Sequence, residues 1–291
     1  MDFTKHTDCF TLSNGVKIPC IGYGTWKTED GAQTRDSVSA AISCGYRHVD
    51  TAFAYGNEVS VGEGIRASGV AREDIFLTTK HWVTFRGYEA TVATFEDSLK
   101  NLGTDYVDLY LIHWPAVEMI TPDWKELNAS TWAGFEKLYK DGKIRAIGVS
   151  NFEQKHLEAL GEYAEIMPMV NQIEFHPGYS QLELAKYCRN KGILVQAWSP
   201  LGSGAVLSDE GLAAMAAKYG KSVAQLCIRY ALQHDVLPLP KSLKPQRIAA
   251  NAEVFDFEID EEDIAVLETM PELGFSGFKA EEAPADALVN G

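Results

Sequence analysis

Eight short runs rich in β-branched and aromatic residues recur along this chain, and longer helical stretches separate them. The runs are CIGYGT, RHVDTA, DIFLTTK, VDLYLIH, IRAIGVS, MVNQIEF, ILVQAWS and DVLPLPKS. They end near Gly24, Asp50, Lys80, His113, Ser150, Glu174, Ser199 and Lys241, at intervals of 24 to 42 residues. Such an interval holds one strand, one helix and their loops. Amphipathic stretches fill the gaps, as at Gly31–Cys44, where Val38, Ala41 and Ile42 share one side at helical spacing. Helices are predicted at Asn57–Ser68, Tyr88–Leu102, Thr131–Lys140, Gln154–Tyr163, Leu182–Asn190 and Val223–His234 as well. Gly45, Gly69, Gly103, Gly142 and Gly192 stand where helices should stop.

Repeated strand–helix units demand a parallel sheet with helices over its faces, and eight of them point to a closed (β/α)8 TIM barrel. An open doubly wound sheet is the alternative that strand counting leaves standing. Ahead of the first unit, CFTLSNGVKIPC reads as a β-hairpin turning at Asn14-Gly15, placed to cross the barrel's bottom. No linker or shift in composition divides the chain. Residues 1–291 are therefore expected to form a single domain, with a tail from about 271 to 291.

Charge narrows the function. Lys and Arg number 26 against 41 Asp and Glu, a net −15, which disfavours a nucleic-acid partner or an anionic membrane surface. An anionic ligand would need a local basic site. Cys9, Cys20, Cys44, Cys188 and Cys227 form an odd, scattered set that suits a reducing compartment. With no leader-like opening and no long apolar run, the chain reads as cytoplasmic.

Asp50, Lys80 and His113 end three successive strands, so a barrel gathers them on its catalytic rim, with Tyr55 five residues beyond Asp50. Taken singly, such residues are more often caps, solvated charges or structural histidines. Together they have a chemical logic. A tyrosine hydroxyl normally titrates near ~10, an ammonium beside it lowers that value, and a carboxylate fixes the ammonium. A histidine opposite orients a carbonyl oxygen. The set suits reversible protonation during hydride reduction of an aldehyde or ketone.

These residues sit in stretches that resemble the aldo-keto reductase family. GYRHVDTAFAYGNEVSVGEGI (Gly45–Ile65) is similar to its first signature, and LTTKHW and YLIHWP match its lysine and histidine motifs. GVSNF, VNQIEFHP, AWSPLGSG and PKSLKPQRIAAN follow in family order, so the resemblance spans roughly residues 8 to 275. Among members it is closest in kind to bacterial enzymes that reduce 2,5-diketo-gluconate and small aldehydes. It implies a tetrad of Tyr55, Asp50, Lys80 and His113 and the cofactor NADPH/NADP+. Ser150, Asn151 and Gln172 would hold the nicotinamide carboxamide, and Trp198 would stack on its ring. Ser199, Leu201 and Ser203 would follow the pyrophosphate, beside Gly24 and Thr25. Lys241, Ser242, Arg247 and Asn251 would take the adenosine end. The carbonyl substrate, a small molecule, would meet Trp26, Trp82, His113 and Trp114, and monomers are usual in this group. His81 departs from the family's usual aliphatic residue and is expected to alter the pocket's polarity.

Without the resemblance, Ser150-Asn151 reads as a loop cap, Gln172 as a core hydrogen bonder and Trp198 as barrel packing. The Lys241–Arg247 segment is more telling, with three cations and no acid in seven residues, and Pro245 suits the first turn of a helix whose amino end attracts phosphate. No Rossmann fingerprint, phosphate loop, H-E-x-x-H pair or G-x-S-x-G elbow is present, and no metal site is expected. Two rivals stand beside a reductase. One is a cofactor-sensing binding subunit with little turnover. The other is an aldolase using Lys80 as a Schiff-base amine. The tail is expected to bring Phe275 or Phe278 to the pocket, with a frayed acidic end at Glu281, Glu282 and Asp286.

Overall fold

In a computed structural model, residues 3–281 are described. The chain opens with β1 (Cys9–Thr11) and β2 (Lys17–Pro19), an antiparallel hairpin, followed by β3 (Tyr23–Gly24) and α1 (Ala32–Ser43). β4 (His48–Asp50) leads to α2 (Glu58–Ala67), β5 (Phe76–His81) to α3 (Tyr88–Leu102), and β6 (Val107–Ile112) to α4 (Trp124–Lys140). β7 (Ile144–Ser150) precedes α5 (Gln154–Gly161), and β8 (Val170–Glu174) precedes α6 (Leu182–Asn190). β9 (Leu194–Trp198) is followed by α7 (Glu210–Lys218) and α8 (Val223–Gln233). β10 (Leu237–Pro238), α9 (Pro245–Ala252) and α10 (Glu261–Glu268) complete the order.

Strands β3 to β10 pair in sequence order, every pair parallel. The ring closes between its first and last members, where Gly22 N–H donates to Pro238 O at 3.0 Å and Gly24 N–H to Pro240 O at 3.1 Å. That closure excludes the open sheet. It also requires glycine: a Cβ on Gly22 would stand 2.5 Å from His48 Nδ1 and 2.6 Å from Leu239 Cδ2. The middle strands are buried along their length, as strands covered on both faces must be.

The hairpin turns at Gly15, whose φ of +87° only glycine adopts readily, and buries Phe10, Leu12 and Ile18. Asn14 Nδ2 donates to Arg145 O at 2.9 Å, beside the start of β7, which puts the hairpin across the bottom as expected. Two expectations need revision. Helix α4 begins seven residues before Thr131, because Asn128 ties its polar first turns to the loop behind β6, accepting from Ala116 N–H at 2.8 Å and donating back to Ala116 O at 3.0 Å. Helices α7 and α10 were not foreseen. They are capped by Asp209 and Asp260 and carry acids in their first turns, a starting signal independent of any wide apolar stripe.

Candidate active site

Asp50 closes β4, Lys80 is the penultimate residue of β5, and His113 directly follows β6. Tyr55 ends a single 3-10 turn after β4. Thr25 pins that loop by donating both its N–H and its hydroxyl to Asp50 O, each at 3.0 Å. Asn57 continues the brace, donating to Thr25 O and Thr28 O and accepting from Thr51 Oγ1.

Lys80 is fully buried, and its ammonium donates to Asp50 Oδ1 at 2.6 Å, Thr51 O at 2.9 Å and Tyr55 Oη at 3.3 Å. All three of its N–H bonds are thereby used. Burial works to lower the Lys80 pKa, but Asp50 and Tyr55 outweigh it, so the net shift is upward and the amine stays charged. A lysine held in that state is a poor Schiff-base nucleophile. Tyr55 corrects the simpler expectation: burial raises its pKa more than Lys80 lowers it, so its hydroxyl keeps its proton. His113 is pushed well below its ordinary value by burial and by Lys80, and is neutral. Its Nδ1 is buried without a partner, and its ring meets those of Tyr55 and Trp82 edge-on, with centroids 5.6 and 5.1 Å away.

These groups face a cavity of about 530 Å³ at the carboxyl ends of the strands. Trp26, Trp82, His113 and Trp114 line it, and so do Gly24, Ser150, Asn151, Gln172, Trp198, Ser199, Leu201, Ser203 and Lys241. Four expected residues do not reach it. Thr25 is buried and spent on Asp50, Ser242 and Asn251 lie off the wall, and Arg247 is exposed on α9. The trio assigned to the carboxamide is also engaged internally. Ser150 Oγ donates to Gln172 O at 2.8 Å, and Gln172 Nε2 donates to Asp50 Oδ2 at 2.8 Å. Asn151, held at φ +61°, donates to His113 O and accepts from Trp198 Nε1 at 2.8 Å, which sets the indole's orientation.

Beyond Trp198 the backbone takes positive φ at Ser199, Gly202, Ser203 and Gly204. Such turns form concavities of N–H groups that suit anions. Lys241 and Lys27 both border the cavity, and burial and the neighbouring Lys27 push the Lys241 pKa down. Lys27 was missed, although a cation three residues after a strand aimed at the rim was there to be noticed. His81 does not alter the pocket: it packs outward among Thr91, Thr94 and Tyr110, away from the cavity.

The tail reaches the site through Phe278, which lines the cavity and meets Trp114 edge-on, whereas Phe275 stacks on Tyr179 at 4.4 Å. Ser276 Oγ anchors this segment on buried Glu174 at 2.7 Å. Glu281 is not frayed, because it pairs with Lys155 at 2.7 Å and His156 at 2.9 Å. Glu282 and Asp286 lie outside the described residues. Glu153, His156 and Glu281 lie close enough to resemble a metal-ligand set. His156 Nδ1, however, accepts from Glu153 N–H at 3.1 Å, so the neutral ring carries its proton on Nε2 and donates to Glu281. Neither ring nitrogen offers a cation a lone pair.

The Aldo/keto reductase family model matches residues 20–271 of this chain. The chain belongs to that family. It is 52% identical to the glyoxal reductase of Bacillus subtilis over 267 residues, covering 92% of this chain and 94% of the relative. The crystal structure of an aldo/keto reductase from Brucella melitensis, 44% identical, superposes with a TM-score of 0.84 over 90% of this chain and 98% of its own. A Bombyx mori aldo-keto reductase in complex with NADP, 36% identical, superposes at 0.85 over 95% of each chain. The barrel, the hairpin and the reductase class read from the motifs all hold for this chain.

Proposed function

We propose that Tyr55, Lys80, Asp50 and His113 carry out NADPH-dependent reduction of small aldehydes and dicarbonyls at this cavity. The observation that carries the reading is the 3.3 Å contact between Tyr55 Oη and a Lys80 ammonium fixed by Asp50, facing a neutral His113 across one cavity. His113 orients the carbonyl oxygen, and Tyr55 delivers a proton to it. As that proton leaves, the ammonium stabilises the phenolate, a charge absent from the ground state.

The residues present fit the cofactor. Two lysines border the cavity in a strongly acidic chain, the turn at 199–204 presents backbone amides, and Trp198 offers a fixed aromatic face. When bound, NADPH supplies the hydride. Lys241 at the cavity's edge, with exposed Arg247 reaching in from α9, would bind the 2′-phosphate, and Ser199 and Ser203 would bind the pyrophosphate. Ser150, Asn151 and Gln172 would hold the nicotinamide amide, using whatever donor and acceptor capacity their internal bonds leave. Trp26, Trp82, Trp114 and Phe278 form an aromatic wall that fits compact, uncharged carbonyl compounds better than charged sugar acids. The enzyme works as a single-domain monomer in the cytoplasm. In support, the cavity is complete within one chain, the five cysteines are free, and among the described residues no helix is long and apolar enough to cross a membrane.

Purified protein with NADPH and glyoxal or methylglyoxal is expected to turn over, and Tyr55→Phe to abolish turnover while binding NADPH normally. A protein that binds NADPH but reduces none of a panel of small aldehydes would be a cofactor sensor, and the proposal would fall.

A further inference from the structure

The amide of Gln172 does more than border the cavity. Its Nε2 donates to Asp50 Oδ2 at 2.8 Å and to Gln196 Oε1 at 2.9 Å. Asp50 already holds the Lys80 ammonium through Oδ1, so its carboxylate is ionised and can only accept. Gln172 must therefore turn its NH2 toward Asp50, and Gln196 must in turn present its carbonyl oxygen to that NH2. A flip of either amide would set oxygen against oxygen or donor against donor. The amide orientations follow from the charge on Asp50 alone.

Gln196 is fully buried in β9, does not border the cavity, and leaves its Nε2 without a partner. A buried orphan donor is destabilising, and an apolar residue would pack there without that cost. We propose that Gln196 is a positioning residue for the reduction, holding Gln172 so that it steadies and disperses the charge on Asp50. A chain of polar contacts then runs across four strands, from Tyr55 through Lys80, Asp50 and Gln172 to Gln196. The inference rests on the reading that Tyr55 is the proton donor.

The direction of its effect follows from the charges. Asp50 raises the Tyr55 pKa, and a donor on Oδ2 tempers that influence. Freeing Gln172 restores the full influence of Asp50, so the tyrosine titrates higher and gives up its proton to the carbonyl oxygen less readily. In Gln196→Met, a change that keeps side-chain length but removes the acceptor, kcat is expected to fall about tenfold, the upper end for a hydrogen bond between neutral groups. The alkaline limb of the kcat–pH profile is expected to move upward. Gln196→Glu keeps an acceptor oxygen at the same reach, and its buried carboxyl, with no cation beside it, stays protonated at neutral pH. It should restore turnover to near the wild-type value at pH 7.

The experiment measures kcat against pH with saturating NADPH and methylglyoxal for wild type, both Gln196 variants and Tyr55→Phe, beside thermal melts. Gln196→Leu replaces the methionine variant if the latter does not fold. An upward limb and lower kcat, rescued by Gln196→Glu, support the inference. A folded apolar variant with wild-type kcat and limb overturns it, as does a lowered melting temperature alone. If Tyr55→Phe itself stays active, the reading of the tetrad fails, and that result is distinct from the others.

Discussion

Two buried carboxylates sit at opposite ends of this barrel, and both are ion-paired. At the bottom, Asp108 accepts from Arg72 at 2.9 Å, Arg145 at 2.6 Å and Leu77 N–H at 2.9 Å. At the top, Asp50 accepts from Lys80 at 2.6 Å and Gln172 at 2.8 Å. Burial and pairing are thus common to both and identify neither as functional. The difference lies in the next atom. Around Asp108 every partner is a guanidinium or a backbone N–H, groups that do not change their ionisation at any physiological pH. Around Asp50 the cation also holds a tyrosine hydroxyl, and that hydroxyl opens on a cavity. A buried ion pair becomes chemistry when its far side is titratable and reachable.

The sharpest way to break this comparison is to remove one oxygen from each end. Tyr55→Phe should cut turnover about 10²- to 10⁴-fold, the usual worth of a general acid, with an unchanged melting temperature. Retention of a tenth of wild-type turnover would remove Tyr55 from the mechanism. Asp108→Asn should do the opposite, leaving kcat per folded molecule intact while destabilising the protein by roughly 3 kcal/mol, the low end for a broken buried pair. The low end applies because Arg72 and Arg145 are partly exposed and rehydrate. Urea melts beside active-site titration check both, and an Asp108→Asn enzyme that folds well but turns over slowly would erase the distinction.

The two ends also differ in how much of them the sequence displays. The barrel was legible because β-branched runs recur at near-regular intervals, and the tetrad because strand ends collect on one rim. Asp108 and its arginines look like any surface charges when read in line, since nothing local shows that Arg72, from the turn before β5, and Arg145, from the start of β7, converge on it. Gln196 was invisible for the same reason: its role depends on a neighbour in β8 that only the sheet register supplies. The lowering of the Tyr55 pKa by Lys80 was legible because the ammonium is evident in sequence, whereas the burial that outweighs it is not. Phe278 and Phe275 could not be separated by sequence, because Ser276, the residue between them that grips Glu174, decides which ring turns inward.

Unpaired cations extend the comparison to the cofactor. The arginines at the bottom are paired, whereas Lys27 and Lys241 at the top have no carboxylate partner among the described residues. Replacing Lys241 and Arg247 together should weaken NADPH binding about 10²-fold, since two charge-assisted contacts at a solvated rim realise the low end of their range. NADH binding should barely change. Fluorescence titration of both cofactors is the check, and equal losses would place these residues on the shared adenosine or pyrophosphate.

The smallest effect is expected at the tail, where a third ion pair lies between the two extremes. Glu281 is partly exposed, and it joins Lys155 to a His156 that is buried against the rings of Trp124 and Phe152. Burial holds His156 down to about 4, from an ordinary 6.5, so it is neutral in the folded state. Between those values the unfolded chain binds more protons than the folded one, so this contribution is complete above pH 6.5 and is lost as pH falls toward 4. Protonation also removes the lone pair with which Nδ1 accepts from Glu153 N–H and caps α5. Burial acts to raise the Glu281 pKa, but Lys155 and His156 hold it below the ordinary value, so its share is present above 4.5 and fades only under more acidic conditions. Acidification from pH 7 to pH 5 should therefore loosen the His156 cap of α5, and with it residues 276–281 that lean on His156, before it touches the rest of the barrel. Glu281→Gln should mimic this at pH 7 at a cost of no more than about 1 kcal/mol, as suits a partly exposed pair. Hydrogen exchange through this segment, corrected for the intrinsic pH dependence, measures the loosening. A matching rise in KM for the larger aldehydes with kcat unchanged would tie it to Phe278. Unaltered protection in Glu281→Gln would mean that Ser276 and Glu174 hold the tail alone, and that the shallow pair, unlike either buried one, holds nothing.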